Sequence, residues 1–167
     1  DGAARIGDVM TAAAADGQPA IGITDHGNMY GVLDFYAAAR KNGIKPIIGM
    51  EGYFEANSRF DRPRKAEREI FHLTLLAENT EGYKNLIKVN SAAYLDGFFY
   101  KPRLDFELLE QHREGLIATT GCLGGVVCQT LLKGDFSEQA STGVVDHRVI
   151  VGPQGRRAMH PEVPLRT

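Results

Sequence analysis

Asp25, His26, Glu51, His72 and Cys122 are side chains that can hold a metal or move a proton, and each stands in or beside a short apolar run. Ala20-Ile21-Gly22-Ile23-Thr24 runs into Asp25-His26-Gly27-Asn28, Ile47-Ile48-Gly49-Met50 into Glu51, and Leu116-Ile117-Ala118-Thr119-Thr120 into Gly121-Cys122. Carboxylate, imidazole and thiol are the donors of hydrolytic metal sites, where separate rigid elements hold them. In a parallel α/β architecture, sites are built at the carboxyl ends of strands. The three run endings therefore predict one metal site assembled from several loops. His72 departs from the rule, because it lies near the start of its run, Phe71 to Ala77. Asp25, next to His26, is the kind of acid that orients a ligating histidine from behind.

Each residue taken alone has a plainer reading. A single histidine in a strand is more often a satisfied core residue, and Cys122 or Cys128 more often a small buried hydrophobe. His112 follows a short helix and reads as a surface or helix-end residue, while His147 and His160 fall in an irregular tail. Neither a phosphate-cradling glycine motif nor a Gly-x-Ser-x-Gly elbow occurs, and Gly121-Cys122-Leu123-Gly124-Gly125 has no nucleotide spacing. A nucleophilic pair of Cys122 with a histidine stays open, with no third orienting partner to name.

The elements that must position these residues follow from hydrophobic period and punctuation. Helices are predicted over 6–16, 29–42, 80–92 and 105–111, with a further one from Gly125 to Leu132 that Gly134 ends. The second should turn Leu33, Phe35, Tyr36 and Ala39 inward, and the third Leu86, Ile87 and Val89, with Thr80 as its N-cap. Strands are predicted over 20–24, 44–53, 71–77 and 116–120. Strand, helix, strand over 20–53 is a βαβ unit, and its crossover should be right-handed. The stretch from Ala56 to Glu69 is polar and carries Arg59, Arg62, Arg64, Lys65 and Arg68. It reads as a solvated loop or, more sharply, as a local phosphate contact. From Ser141 onward, scattered Gly, Pro and Arg leave no helical stripe, so residues 141–167 are expected to be a disordered tail.

A chain of 167 residues is about one domain and can bury a real core. Its net charge of −2 excludes an overall basic field for nucleic acid, so any such binding must be local or come from other segments. Two cysteines six residues apart are too few for a disulfide framework and suit a cytoplasmic setting. No apolar run approaches about 18 residues, so no membrane span is expected. The sequence begins with Asp1 instead of Met, and a fragment or processed piece is expected.

Several stretches in order resemble the PHP (polymerase and histidinol phosphatase) domain family. They are Thr24-Asp25-His26-Gly27-Asn28-Met29-Tyr30-Gly31, Gly43-Ile44-Lys45-Pro46-Ile47-Ile48-Gly49-Met50-Glu51, His72-Leu73-Thr74-Leu75-Leu76-Ala77 and Ala118-Thr119-Thr120-Gly121-Cys122. Tyr83 to Ser91 and Phe99-Tyr100-Lys101-Pro102-Arg103 are similar to the version at the N-terminus of bacterial replicative DNA polymerase catalytic subunits. The resemblance covers residues 1–140, which implies a partial PHP domain there. It also implies an α/β fold, a truncated, distorted TIM-like (βα) barrel with up to three divalent metal ions (zinc, manganese or magnesium). The ligand positions it implies are Asp1, His26, Glu51, His72 and Cys122, with Asp25 behind them. The family's opening His-x-His and closing Asp-x-His motifs have no counterpart, and Asp146-His147 is adjacent, not spaced. The implied activity is DNA-directed DNA polymerisation in a parent protein acting on DNA with other replisome subunits. The domain itself would be a metal-dependent phosphoesterase or 3′–5′ exonuclease, here with an incomplete cluster. A stand-alone phosphatase of small phosphomonoesters, or a non-catalytic module held together by metal, stays open.

Overall fold

A computed structural model describes residues 4–64, 69–119 and 122–133. Five strands form one mixed sheet: β1 (Ala20–His26), β2 (Lys45–Phe54), β3 (Phe71–Ala77), β4 (Arg103–Leu104) and β5 (Leu116–Thr119). The helices are α1 (Ile6–Ala15), α2 (Val32–Lys41), α3 (Thr80–Leu95), α4 (Phe106–Gln111) and α5 (Val126–Leu132). The strand order is β1-β2-β3-β5, with β4 beside the end of β2.

Strand directions depart from the parallel α/β architecture by which the strand-end sites are read. β1 pairs parallel with β2 through the single helix α2, but β3 runs antiparallel to both β2 and β5. The connections explain this. Among the described residues, no helix separates β2 from β3, and two, α3 and α4, separate β3 from β5, so the chain direction alternates. Where β1 stops at His26, β4 takes over the edge of β2, pairing Tyr53 with Arg103 and Phe54 with Leu104. This two-residue strand had no period to betray it.

Alternation of side chains assigns the two faces. Ile21, Ile23 and Ile48 pack on Met10, Ala13, Phe35, Ala39 and Ile44 of one core cluster. Met50, Phe54, Phe71, Leu75, Leu116 and Ala118 join Leu86, Val89, Leu104, Leu108 and Leu109 in a second. The opposite face carries Thr24, His26, Glu51, Tyr53, His72 and Thr74, none of them fully buried. The helical stripes are narrower than predicted: Leu33, Tyr36 and Ile87 are exposed, while Phe35, Ala39, Leu86 and Val89 are buried. Asn79, not Thr80, caps α3 by accepting from the Gly82 N–H. Helix α2 begins three residues late because the Asn28 side chain holds a turn, accepting from Tyr30 N and donating to the His26 carbonyl.

The basic stretch after β2 is neither simply solvated nor, at two of its arginines, a phosphate contact. Arg59 is buried and pairs with Asp105 at 2.9 Å. Arg62 donates to the carbonyls of Arg59, Phe60 and Asp61. Arg103, fully buried, clasps the same loop: it donates to Glu55 at 3.1 Å and to the carbonyls of Arg59, Asp61 and Gly97. Asp105 also caps α4 through Leu108 N. Lys65 and Arg68 lie outside the described residues. Removing one partner of such a buried pair strands the other charge. Arg103→Met should therefore lower the unfolding free energy by about 3–5 kcal/mol, read from the urea midpoint of the far-ultraviolet circular dichroism transition.

Candidate metal centre

Reversal of β3 resolves the departure of His72. Because β3 runs against β2, its start lies beside the end of β2, with His72 opposite Tyr53 and Thr74 opposite Glu51. His26 is the parallel partner of Glu51. Both histidines and the glutamate thus share one face at one end of the sheet. β5 delivers its own end there too, with Thr119 opposite Thr74. Cys122 follows in a turn closed by Gly125 N donating to the Cys122 carbonyl.

Glu51 lies at the middle. Its Oε2 is 2.9 Å from His26 Nδ1 and its Oε1 is 2.6 Å from His72 Nδ1. The Cys122 thiol donates to Glu51 Oε1 at 3.8 Å and stands 3.5 Å from His72 Nδ1. One donor atom each from Glu51, His72 and Cys122 falls within a span of 4.8 Å. Donors bound tetrahedrally at 2.0–2.3 Å sit roughly 3.3–3.8 Å apart, so small adjustments of these side chains accommodate an ion. The donor chemistry fits a divalent metal, and the three come from three separate strands or strand ends. Exposure is graded: the Glu51 side chain is 14% exposed, His72 35% and His26 40%, which puts His26 on the solvent side.

Two glycines make this packing feasible. Gly27 has φ +64°, and a Cβ there would meet the Tyr53 ring at 2.6 Å. Its N–H donates to the Glu51 carbonyl, fixing the turn directly after His26. Gly124 lies against the His72 ring, and its carbonyl accepts from His72 N, which ties the Cys122 turn to β3. Gly124, within the glycine-rich run around Cys122, thus serves close approach. An apolar cleft lined by Val32, Leu33, Tyr36, Pro46 and Ile48 opens at the far end of the sheet, away from the donors.

The family model described as PHP domain matches residues 1–155. The chain belongs to the PHP domain family. DNA polymerase III subunit alpha of Aquifex aeolicus is 49% identical over 132 residues, which is 75% of this chain and 11% of the relative. The proteins of that name from Borreliella burgdorferi and Thermus aquaticus are 45% and 47% identical, over 83% and 80% of this chain and 12% and 11% of their own length. The PHP chain thus spans about a tenth of the length of the curated relatives it matches. An amidohydrolase structure from Chromobacterium violaceum, with bound sulfate and no metal, aligns over 55% of this chain and 30% of its own at 23% identity and a TM-score of 0.37. That likeness is too low to bear on fold or function.

Of the expected PHP positions, His26, Glu51, His72 and Cys122 come together. Asp25 alternates to the other face of β1, where its Oδ2 accepts from Gly31 N at 3.0 Å and steadies the entry to α2. Asp1 lies outside the described residues, as do Gly134 and the whole of 141–167, while the family match runs past 140 to residue 155. Cys128 sits on α5, half-buried. His112 ends α4, where burial and then Lys88 hold its imidazole below the ordinary histidine pKa. Tyr53 was missed: its ring packs 5.8 Å from that of His72, and the signal was its place two residues after Glu51 on one strand. Loss even of groups that orient ligands costs metal affinity roughly 10–100-fold. Cys122→Ser should therefore weaken zinc binding at least about 10-fold, measured by competition with a chromophoric chelator. Because ligands must shed protons, zinc uptake should also weaken as pH falls from 8 to about 5.

Proposed function

We propose that this chain is a PHP-domain segment of a bacterial DNA polymerase III alpha subunit, that its metal centre, completed in the parent by the family's opening and closing motifs, hydrolyses the terminal phosphodiester of single-stranded DNA, and that the isolated chain binds metal weakly and has little or no activity. The observation that carries this reading is the convergence of Glu51, His72 and Cys122 within 4.8 Å at one sheet end, with His26 bonded to the same glutamate. Relatives at 45–49% identity bearing the polymerase name support the parent. The open sheet, in this proposal, is part of a distorted TIM-like barrel. Nucleotide addition, contacts with DNA and association with other replisome subunits belong to the parent in the cytoplasm. Among the described residues, no helix is long and apolar enough to cross a membrane.

His26, Glu51, His72 and Cys122 would hold the metal, with Asp1 as a further ligand. Thiol and imidazole donors favour zinc or another borderline ion over magnesium. Divalent metal in such a site activates water and neutralises phosphodiester oxygens. The chain's own contribution is orientation. The Glu51 carboxylate is fixed by two imidazoles, so neither oxygen swings freely. Burial of Glu51 beneath the more exposed His26 leaves that imidazole at the mouth of the site, where an incoming strand end meets it first.

The test compares this chain with one extended at both ends to include the family's His-x-His and Asp-x-His motifs. Both are loaded with zinc or manganese and assayed on end-labelled single-stranded DNA. The extended protein should bind more metal and release mononucleotides, and Glu51→Gln in it should abolish release. Equal metal content and equal turnover in the two chains would refute the ligand assignment. Release of inorganic phosphate from small phosphomonoesters, with intact DNA, would favour the stand-alone phosphatase instead.

A further inference from the structure

Four of the seven exposed aromatic side chains among the described residues gather beside the metal donors. Tyr30 is 79% exposed, Tyr100 67%, Phe98 53% and Tyr94 38%. Their placement follows from chain direction. Helix α3 runs back towards the donor end, so its last turn and the loop into β4 arrive there. Tyr30 follows the His26 turn directly. Tyr94 and Phe98 stack, with centroids 6.1 Å apart and planes 22° from parallel, and burial, then the neighbouring Tyr30, hold the Tyr94 phenol above the ordinary tyrosine pKa. The loop then crosses to the donors. Lys101 places its ammonium 4.7 Å from the Tyr53 ring, which packs on His72, and Pro102 borders Gly27. Arg62 lies over the Phe99 ring and donates to the Asp96 carbonyl, which ties this loop to the segment after β2.

Tyr100 is the only non-glycine residue at positive φ among the described residues, at 63°. A bulky side chain seldom takes that conformation, and such outliers concentrate where a ligand is held. The hydrophobic effect gives no reason to present these rings to water at one end of the sheet. Aromatic faces interleaved with cations are the means by which proteins hold single-stranded nucleic acid, since every base has a π-face and every linkage a phosphate.

We propose that Tyr30, Tyr94, Phe98 and Tyr100 form a stacking ledge for the last bases of a single strand, and that Lys101 receives the phosphate between the ledge and the donors. The inference rests on the phosphoesterase reading for its purpose, but not for its test. The ledge would pass a strand end to the centre whatever its sequence and would reject paired bases, whose faces are occupied.

The experiment measures fluorescence anisotropy of two labelled oligomers of equal length, an oligothymidylate and an abasic analogue with the same phosphates. The buffer holds chelator and low salt, and zinc content is determined separately on each protein. Oligothymidylate should bind roughly 5–100-fold tighter than the abasic oligomer. Phe98→Ala and Tyr100→Ala should each shrink that preference, while Tyr100→Trp should keep it, which separates loss of stacking from loss of the loop. Lys101→Ala should weaken both oligomers alike, and zinc content should not change in any of these variants. Equal affinity for the two oligomers, as expected if the rings cover a protein segment instead, would overturn the proposal. So would a preference that neither alanine variant moves. A protein that takes up no zinc yet keeps the base preference would support the ledge and overturn the metal-centre reading. Zinc uptake without base preference would do the reverse.

Discussion

Everything at the donor end depends on the register of β2. This strand pairs with β1, β3 and β4, and its own Glu51 sits opposite His26 on one side and diagonal to His72 on the other. Because side chains alternate, a slip of one residue would send Glu51 into the helix-covered core and put Met50 or Gly52 among the histidines. Met50 and Phe54 are buried on the helix side and Ile48 packs partly buried beside them, so such a slip is heavily disfavoured. Core packing on one face thus sets the position of the polar donors on the other.

The loop after β2 has to be held without regular structure, and buried charge does this. Arg103 and Asp105, two residues apart on one short segment, reach Glu55 and Arg59, which follow the end of the adjacent β2. Arginine suits the task because its fork satisfies a carboxylate and several carbonyls together. The clasp fixes Arg103 beside Tyr53, and so fixes the loop that carries Lys101 and the aromatic ledge. The same device explains why the most basic stretch of the sequence offers little free charge at Arg59 and Arg62: their guanidinium groups are engaged within the fold.

Placing Glu51, His72 and Cys122 in contact leaves a cluster of groups that all accept or exchange protons. The glycines at 27 and 124 accept this crowding by removing side-chain volume where the turns after β1 and β5 approach Tyr53 and His72.

Much of this was legible in the sequence itself. Apolar runs marked β1, β2, β3 and β5, Asp105 announced the start of α4, and the ordered motifs pointed to the PHP family before any coordinates. Residue chemistry singled out Asp25, His26, Glu51, His72 and Cys122 as donors in or beside apolar runs, which is a local pattern, and the family resemblance set Asp25 behind the others. What local pattern could not carry was direction. Whether β3 runs with or against β2 depends on which connection carries a helix and on which face must be covered, and that decided whether His72 joined the others or lay at the far end. The fate of Asp25, Arg59 and Arg103 was likewise tertiary. Period-two alternation turned Asp25 away from His26, and the two arginines became clasps only because residues more than forty positions apart in the chain met in the fold. Sequence specifies which groups are available. Which of them meet is set by strand direction and by the burial that makes one register far more stable than its neighbours.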